Sequence, residues 1–165
     1  MPVVRQTNWL LVIPQLVVMA VLIVIVAAVF KPEPLFLSGT YGAGLYLIYS
    51  YGSRWLLLKS HRQGMQLTRE KNYPAAIQKF DESYQFLSRY PWIDRYRYFT
   101  LMSPSAMHYR EMALINIAFC YAQLGNIEKT KAYYQRAIAE YPDSEMAKIA
   151  LNFITSVEQS GAIST

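Results

Sequence analysis

Two hydropathy regimes divide the chain. Residues 10–30 read LLVIPQLVVMAVLIVIVAAVF, apolar on every face and without an acidic or basic side chain. A helix of that length rises about 31 Å, the thickness of a bilayer's hydrocarbon core. Pro14 and Gln15 sit near one end, where their cost in lipid is smallest. A secretory signal peptide is the competing reading, but its apolar part is shorter, about 7–15 residues, and ends in a small-residue cleavage site. Here Phe30 and Lys31 follow the small residues, so the segment reads as a retained anchor.

A second uncharged stretch, residues 35–53, reads LFLSGTYGAGLYLIYSYGS. Gly39 and Ala43, four apart, share a helix face on which the first helix can approach closely. Tyr46, Tyr49 and Tyr51 gather toward the far end, as in an aromatic belt. The alternative for this stretch is a buried interfacial segment that does not cross. The link KPEP stops the first helix with its prolines. Two spans joined so tightly run antiparallel, with both outer ends on one side.

Beyond residue 58 the pattern becomes amphipathic. Nothing strongly breaks helicity between residues 41 and 70, which predicts one long helix there. From Glu111 onward, large apolar residues fall at Leu114 and Ile117, a small one at Ala118 and an aromatic at Tyr121. Gly125 marks a turn, Ile127 opens the next helix, Tyr134 and Ala137 give its aromatic and small sites, and Pro142 ends the unit. Thr130 stands where alanine is usual. This spacing resembles the tetratricopeptide repeat, a pair of antiparallel helices.

A degenerate copy precedes it, with Gly64, Leu67, Tyr73, Ala76, Phe80 and Ser83 at corresponding sites. Asn72 lies near its turn and tolerates left-handed geometry. The two copies are separated by an insert. Within it PWIDRYRYFTLM, residues 91–102, matches neither helical nor strand periodicity. Ser103-Pro104 reads as a cap and first helical residue, starting the next helix at residue 104.

A last helix is expected over 144–159, with Met146, Ile149, Ala150, Phe153, Ile154 and Val157 as its buried stripe and Lys148, Asn152 and Gln159 outward. The tail, residues 160–165, is expected to fray. The expected architecture is therefore all-α. A transmembrane helical hairpin (1–58, spans 10–30 and 35–53) precedes a TPR-like superhelical domain (59–165). That domain comprises repeats over 59–91 and 104–142 and a terminal capping helix. About three repeats are usually needed for independent stability, so two create a demand for further contacts.

Composition sharpens the division. Of the chain's 165 residues 53% are hydrophobic and 16% charged, against roughly 25% charged in soluble domains. Residues 1–58 carry only Arg5, Lys31, Glu33 and Arg54. Lys31 alone marks the connecting loop, whereas Arg5, Arg54, Lys59, Arg62 and Arg69 flank the other side. The positive side faces the cytoplasm, which places both termini there, in a cell (inner) membrane. A net charge of +5 without any long basic block argues against a nucleic-acid partner.

Candidate chemistry is sparse. Cys120 is a single cysteine, so no internal disulfide is possible. His61 and His108 read as helix-surface residues without metal-ligand spacing. No phosphate loop or nucleophile constellation appears, so neither catalysis nor a cofactor or metal is expected.

The resemblance implies a concave face lined by the first helix of each repeat. Here that face would comprise Met112, Ile115, Phe119, Ala122 and Gln123, with His61, Met65, Thr68 and Arg69 from the weaker copy. Only Asn116 and Arg62 resemble the family's carboxylate clamp, so an apolar groove accepting a protein segment is favoured. The competing reading packs Ile115 and Phe119 against the insert or the last helix. The insert surface Arg95, Tyr96, Arg97 and Tyr98 could meet lipid headgroups, protein or bases. Alternatively its tyrosines fill the space between repeats while Arg95 and Arg97 face water.

The implied function is a membrane-anchored adaptor or scaffold with a protein partner and a lipid bilayer, able to oligomerise and active in assembly of a membrane complex. The alternative is a structural subunit of a larger integral-membrane complex, with Gly39 and Ala43 as the contact. A membrane enzyme has least support.

Overall fold

A computed structural model describes residues 10, 12–34 and 36–161. Arg5, the span-end residues Leu11 and Leu35, and tail residues 162–165 lie outside the described residues. Among the described residues all regular structure is helical apart from an isolated bridge at Ser105. The helices are α1 (Val12–Phe30), α2 (Phe36–Leu57), α3 (Lys59–Arg69), α4 (Tyr73–Arg89), α5 (Pro91–Arg95), α6 (Arg97–Thr100), α7 (Tyr109–Gln123), α8 (Ile127–Glu140) and α9 (Glu145–Gln159). The expected long helix over 41–70 is interrupted at Leu58, between α2 and α3. Contacts group the described parts of residues 60–91 and 107–161 into a repeat unit, and those up to residue 59 with 92–106 into a hairpin unit.

In the hairpin unit α1 packs on α2. Ile13–Phe30 is long and apolar enough to cross a membrane, and only 11% of it is buried, unlike the core helix of a soluble protein. Helix α2 is diluted by glycine, serine and tyrosine, and no other described helix meets that criterion.

The close approach falls at Gly42, which corrects the expected Gly39 and Ala43 contact. A Cβ at Gly42 would lie 2.6 Å from Ile23 Cγ1 and 2.7 Å from its Cα, while one at Gly39 would meet nothing within 4 Å. The buried row is Ser38, Gly42 and Ser50. Gly39 and Ala43 are each one residue further along and so rotated by roughly 100°, where they are half-buried.

The insert groups with this unit and not with the repeats. Instead of an irregular stretch it forms α5 and α6. The Tyr49 hydroxyl donates to Phe99 O at 3.1 Å. Arg54 Nε donates to Leu101 O at 2.7 Å and its Nη2 to Met102 O.

Arg97, expected to face water, is buried. Its guanidinium donates to Ser105 O at 2.9 Å and Ala106 O at 3.0 Å. Those carbonyls are thereby occupied, and Ser103-Pro104 starts no helix. Helix α7 begins at Tyr109, where the His108 N–H donates to Glu111 Oε2 at 3.4 Å.

In the repeat unit, α3–α4 and α7–α8 are helical hairpins with one turn geometry. Gly125 has φ +73° and Lys71 φ +59°. At both turns paired backbone bonds close the first helix: Asn126 N to Tyr121 O and Gly125 N to Ala122 O, matched by Asn72 N to Leu67 O and Lys71 N to Thr68 O. This is the Schellman arrangement. The left-handed residue of the first copy is Lys71, beside Asn72. Asn72 instead caps α4, accepting from Ala75 N at 3.4 Å, as Asn126 caps α8 from Lys129 N at 3.0 Å.

The core gathers Ala76, Phe80 and Tyr84 of α4, Ala113, Leu114, Ile117 and Ala118 of α7, Tyr134 and Ala137 of α8, and Ala147 of α9. Gly64 of α3 gives way to the Phe80 ring, whose Cε1 would lie 2.7 Å from an added Cβ. Thr130 fits the alanine site because its buried hydroxyl donates to Asn126 O at 2.8 Å.

Candidate partner-binding surface

Helices α3 and α7 are joined at their facing sides by small polar contacts. Asn116 Nδ2 donates to Met65 Sδ at 3.7 Å. The Thr68 hydroxyl lies 3.7 Å from Cys120 Sγ and donates to Gly64 O at 2.8 Å. Burial pushes the Cys120 thiol up, and the Thr68 contact opposes this only in part, so the residue behaves as a small core side chain.

The residues expected to line a groove are divided by the fold. His61 is buried, its ring edge-on to Phe80 at 5.5 Å and to Tyr109 at 5.6 Å. It is therefore core, as is Ile115, and neither His61 nor Ile115 lines an open surface. His108, also expected on the helix surface, is half-buried and stacks on Tyr141 at 5.4 Å. Met112 is half-buried, and Met65, Arg69, Phe119 and Gln123 are exposed. Gln123 Oε1 accepts from the Tyr73 hydroxyl at 3.5 Å, which holds the rim of the turn.

Two residues belong with this set that the sequence reading assigned to a buried stripe. Ile149 and Phe153 of α9 are exposed, Phe153 by 69% against 40% for Phe119. The other expected stripe residues, Met146, Ala150, Ile154 and Val157, are half-buried, and Ala147 and Leu151 join them on the covered face of α9. The correction has a simple signal. A shift of one repeat length, about 34 residues, carries Met112, Ile115 and Phe119 onto Met146, Ile149 and Phe153. Helix α9 thus shares the apolar spacing of α7, and its Phe153 falls at the offset of Phe119.

An ionic cluster joins α4, α7 and α8 elsewhere in the unit. The Tyr84 hydroxyl donates to Glu140 Oε1 at 2.7 Å, and Arg136 Nε to the same oxygen at 3.1 Å. Arg110 Nη2 donates to Oε2 at 3.0 Å. The Arg136 guanidinium also lies 4.5 Å from the Tyr84 ring centroid, a cation–π distance. Burial alone would raise the Glu140 pKa. The hydrogen bonds from Tyr84 and Arg136 and the two guanidinium charges outweigh it and hold the carboxyl below its ordinary value. Lys131 similarly ties α8 to α9 through Glu158 at 2.9 Å.

Among the described residues no group of three or more histidine, cysteine or acidic side chains could hold a metal ion. The four insert residues separate by exposure: Arg95 and Tyr96 are open, Tyr98 is half-buried and Arg97 is buried.

Residues 112–144 match the family model of the tetratricopeptide repeat. No curated protein and no solved structure matches the chain. The match runs from α7 through α8 to the cap of α9, and α3–α4 repeats its turn geometry outside the matched residues. Within the all-helical fold, residues 112–144 therefore carry a tetratricopeptide-repeat motif, of a kind that serves protein–protein interaction.

Proposed function

We propose that this chain is a membrane-anchored adaptor, with α1 and α2 as the anchor and the repeats at the cytoplasmic surface. The open positions Met65, Phe119, Ile149 and Phe153 hold an apolar helix or extended segment of a partner protein. The observation that carries this reading is the pair Phe119 and Phe153, large aromatics left exposed at matching offsets of α7 and α9. Large exposed apolar side chains grouped on one face mark interaction surfaces, and a helix or strand laid in such a groove is a recurring recognition mode.

The anchor is supported by the shallow burial of Ile13–Phe30. Confinement to the membrane raises the partner's effective concentration there. This suits a role in assembling a membrane complex.

The test is site-specific cross-linking in intact membranes from a photoreactive phenylalanine analogue at position 153. One dominant adduct is expected, and it should disappear when Phe119→Ser and Ile149→Ser are added without a change in thermal midpoint. No adduct from position 153 or 119, or one indifferent to those substitutions, overturns the proposal.

A further inference from the structure

On the insert, Trp92, Tyr96 and Phe99 are exposed by 55%, 45% and 45%. Their spacing of four and then three residues puts them on one side of α5 and α6. Arg95 is exposed beside them, its guanidinium carbon 5.9 Å from the Tyr96 ring centroid. Ile93, Asp94, Arg97 and Leu101 are buried on the other side. The segment therefore has an inner face pinned by the Arg97 guanidinium and an outer face of aromatic rings with one free-facing cationic side chain.

Its position along the hairpin is set by hydrogen bonds. Tyr49 holds Phe99, and Arg54 holds Leu101 and Met102. This is the end of α2 where the uncharged stretch stops, and where Tyr49, Tyr51 and Trp55 are themselves exposed. Helix α6 also packs on α1. The aromatic row is thus continuous with the aromatic end of the hairpin, at the level where tyrosine and tryptophan favour a membrane–water boundary.

We infer that the insert, residues 92–106, is an interfacial segment lying in the headgroup layer of a phospholipid bilayer. Trp92, Tyr96 and Phe99 enter the boundary between headgroups and acyl chains, and Arg95 faces a lipid phosphate. The acid that could compete for Arg95, Asp94, is turned into the buried face. The inference rests on the membrane-anchor reading proposed above.

Trp92 reports on it directly. In the full chain reconstituted into phosphatidylcholine vesicles, Trp9→Phe and Trp55→Phe leave Trp92 as the single tryptophan, excited selectively over the tyrosines. Its emission should be quenched by lipids brominated near the carbonyl end of the acyl chain and shielded from aqueous acrylamide. Adding Tyr96→Ser and Phe99→Ser should weaken the first effect and relieve the shielding. A second reporter, Val21→Trp in a background with Trp9, Trp55 and Trp92 all replaced by Phe, reads the anchor through deeply brominated lipid.

If the Val21→Trp reporter is quenched while Trp92 is open to acrylamide and untouched by bromine, the interfacial role is wrong and the anchor stands. Trp92 shielded from both quenchers would mean a protein contact, which also overturns the inference. If neither reporter senses bromine, anchor and insert readings fail together.

Discussion

In α1, Val24, Val29 and Phe30 stand largely exposed, whereas Phe80 of α4 and Leu114 and Ile117 of α7 are wholly buried. Similar side chains meet opposite fates because their sequences distribute them differently. In α4, α8 and α9 apolar residues recur at helical spacing, so each has one face to hide and one for water, and α7, apolar over most of its length, is covered by α4 on one side and α8 on another. In α1 apolar residues occupy every face, and α2 and α6 together cover only part of them. Burying a large apolar side chain stabilises by roughly 1.5–3 kcal/mol. The repeat unit gains this from its own neighbours; the exposed side chains of α1 gain none of it within the described residues.

Substitutions in one unit should therefore leave the other's behaviour unchanged. The largest effect is expected at Phe80, which fills the space left by Gly64. Phe80→Ala should cost the repeat unit about 3–5 kcal/mol, read as a lower denaturant midpoint by circular dichroism, with no change in membrane retention. A chain that keeps its midpoint would mean that the Phe80 core is misassigned.

Next comes Val21→Asp, which puts a charge near the middle of α1. In a bilayer it should cost roughly 2.5–3.5 kcal/mol of insertion and move protein into the supernatant of an alkaline carbonate wash, while the repeat unit's midpoint stays put. An unchanged pellet fraction would break the proposed contrast between lipid and water.

Smallest is the Glu140 cluster. Its carboxyl is held below the ordinary value in the folded chain. The stabilisation it brings is therefore fully present above the unfolded pKa, near 4.3 for glutamate, and is lost as pH falls through the folded value. Glu140→Gln should cost on the order of 1–2 kcal/mol near neutrality and flatten the melting temperature's acid limb. A variant that keeps the full acid dependence would show that another group carries it.

Much of the repeat unit was legible because its pattern is local. Leu114, Ile117, Ala118, Tyr134 and Ala137 announce two helices and their buried faces by spacing alone. Gly125 announces the turn because glycine has no Cβ to resist positive φ. The equivalent turn at Lys71 was not legible, since lysine advertises no such tolerance; the paired backbone bonds around it impose the conformation.

The candidate surface was half legible. Met65 and Phe119 were named from their repeat positions. Ile149 and Phe153 were hidden by treating the last helix as a closing element, although the repeat interval already pointed to them. His61 and Ile115 share those positions yet are buried, because spacing tells which side a residue takes but not what stands against it.

By itself, the order of residues determined an uninterrupted apolar segment, the amphipathic helices after it and the register of the repeat, since each follows from interactions within one or two turns. Only the tertiary structure decided that Gly42 meets Ile23 while Gly39 stays open, that Arg97 turns inward to hold two carbonyls, and that the insert joins the hairpin unit. Those outcomes depend on which elements become neighbours, and the energy that selects them comes from side chains distant in sequence, so no local pattern records it.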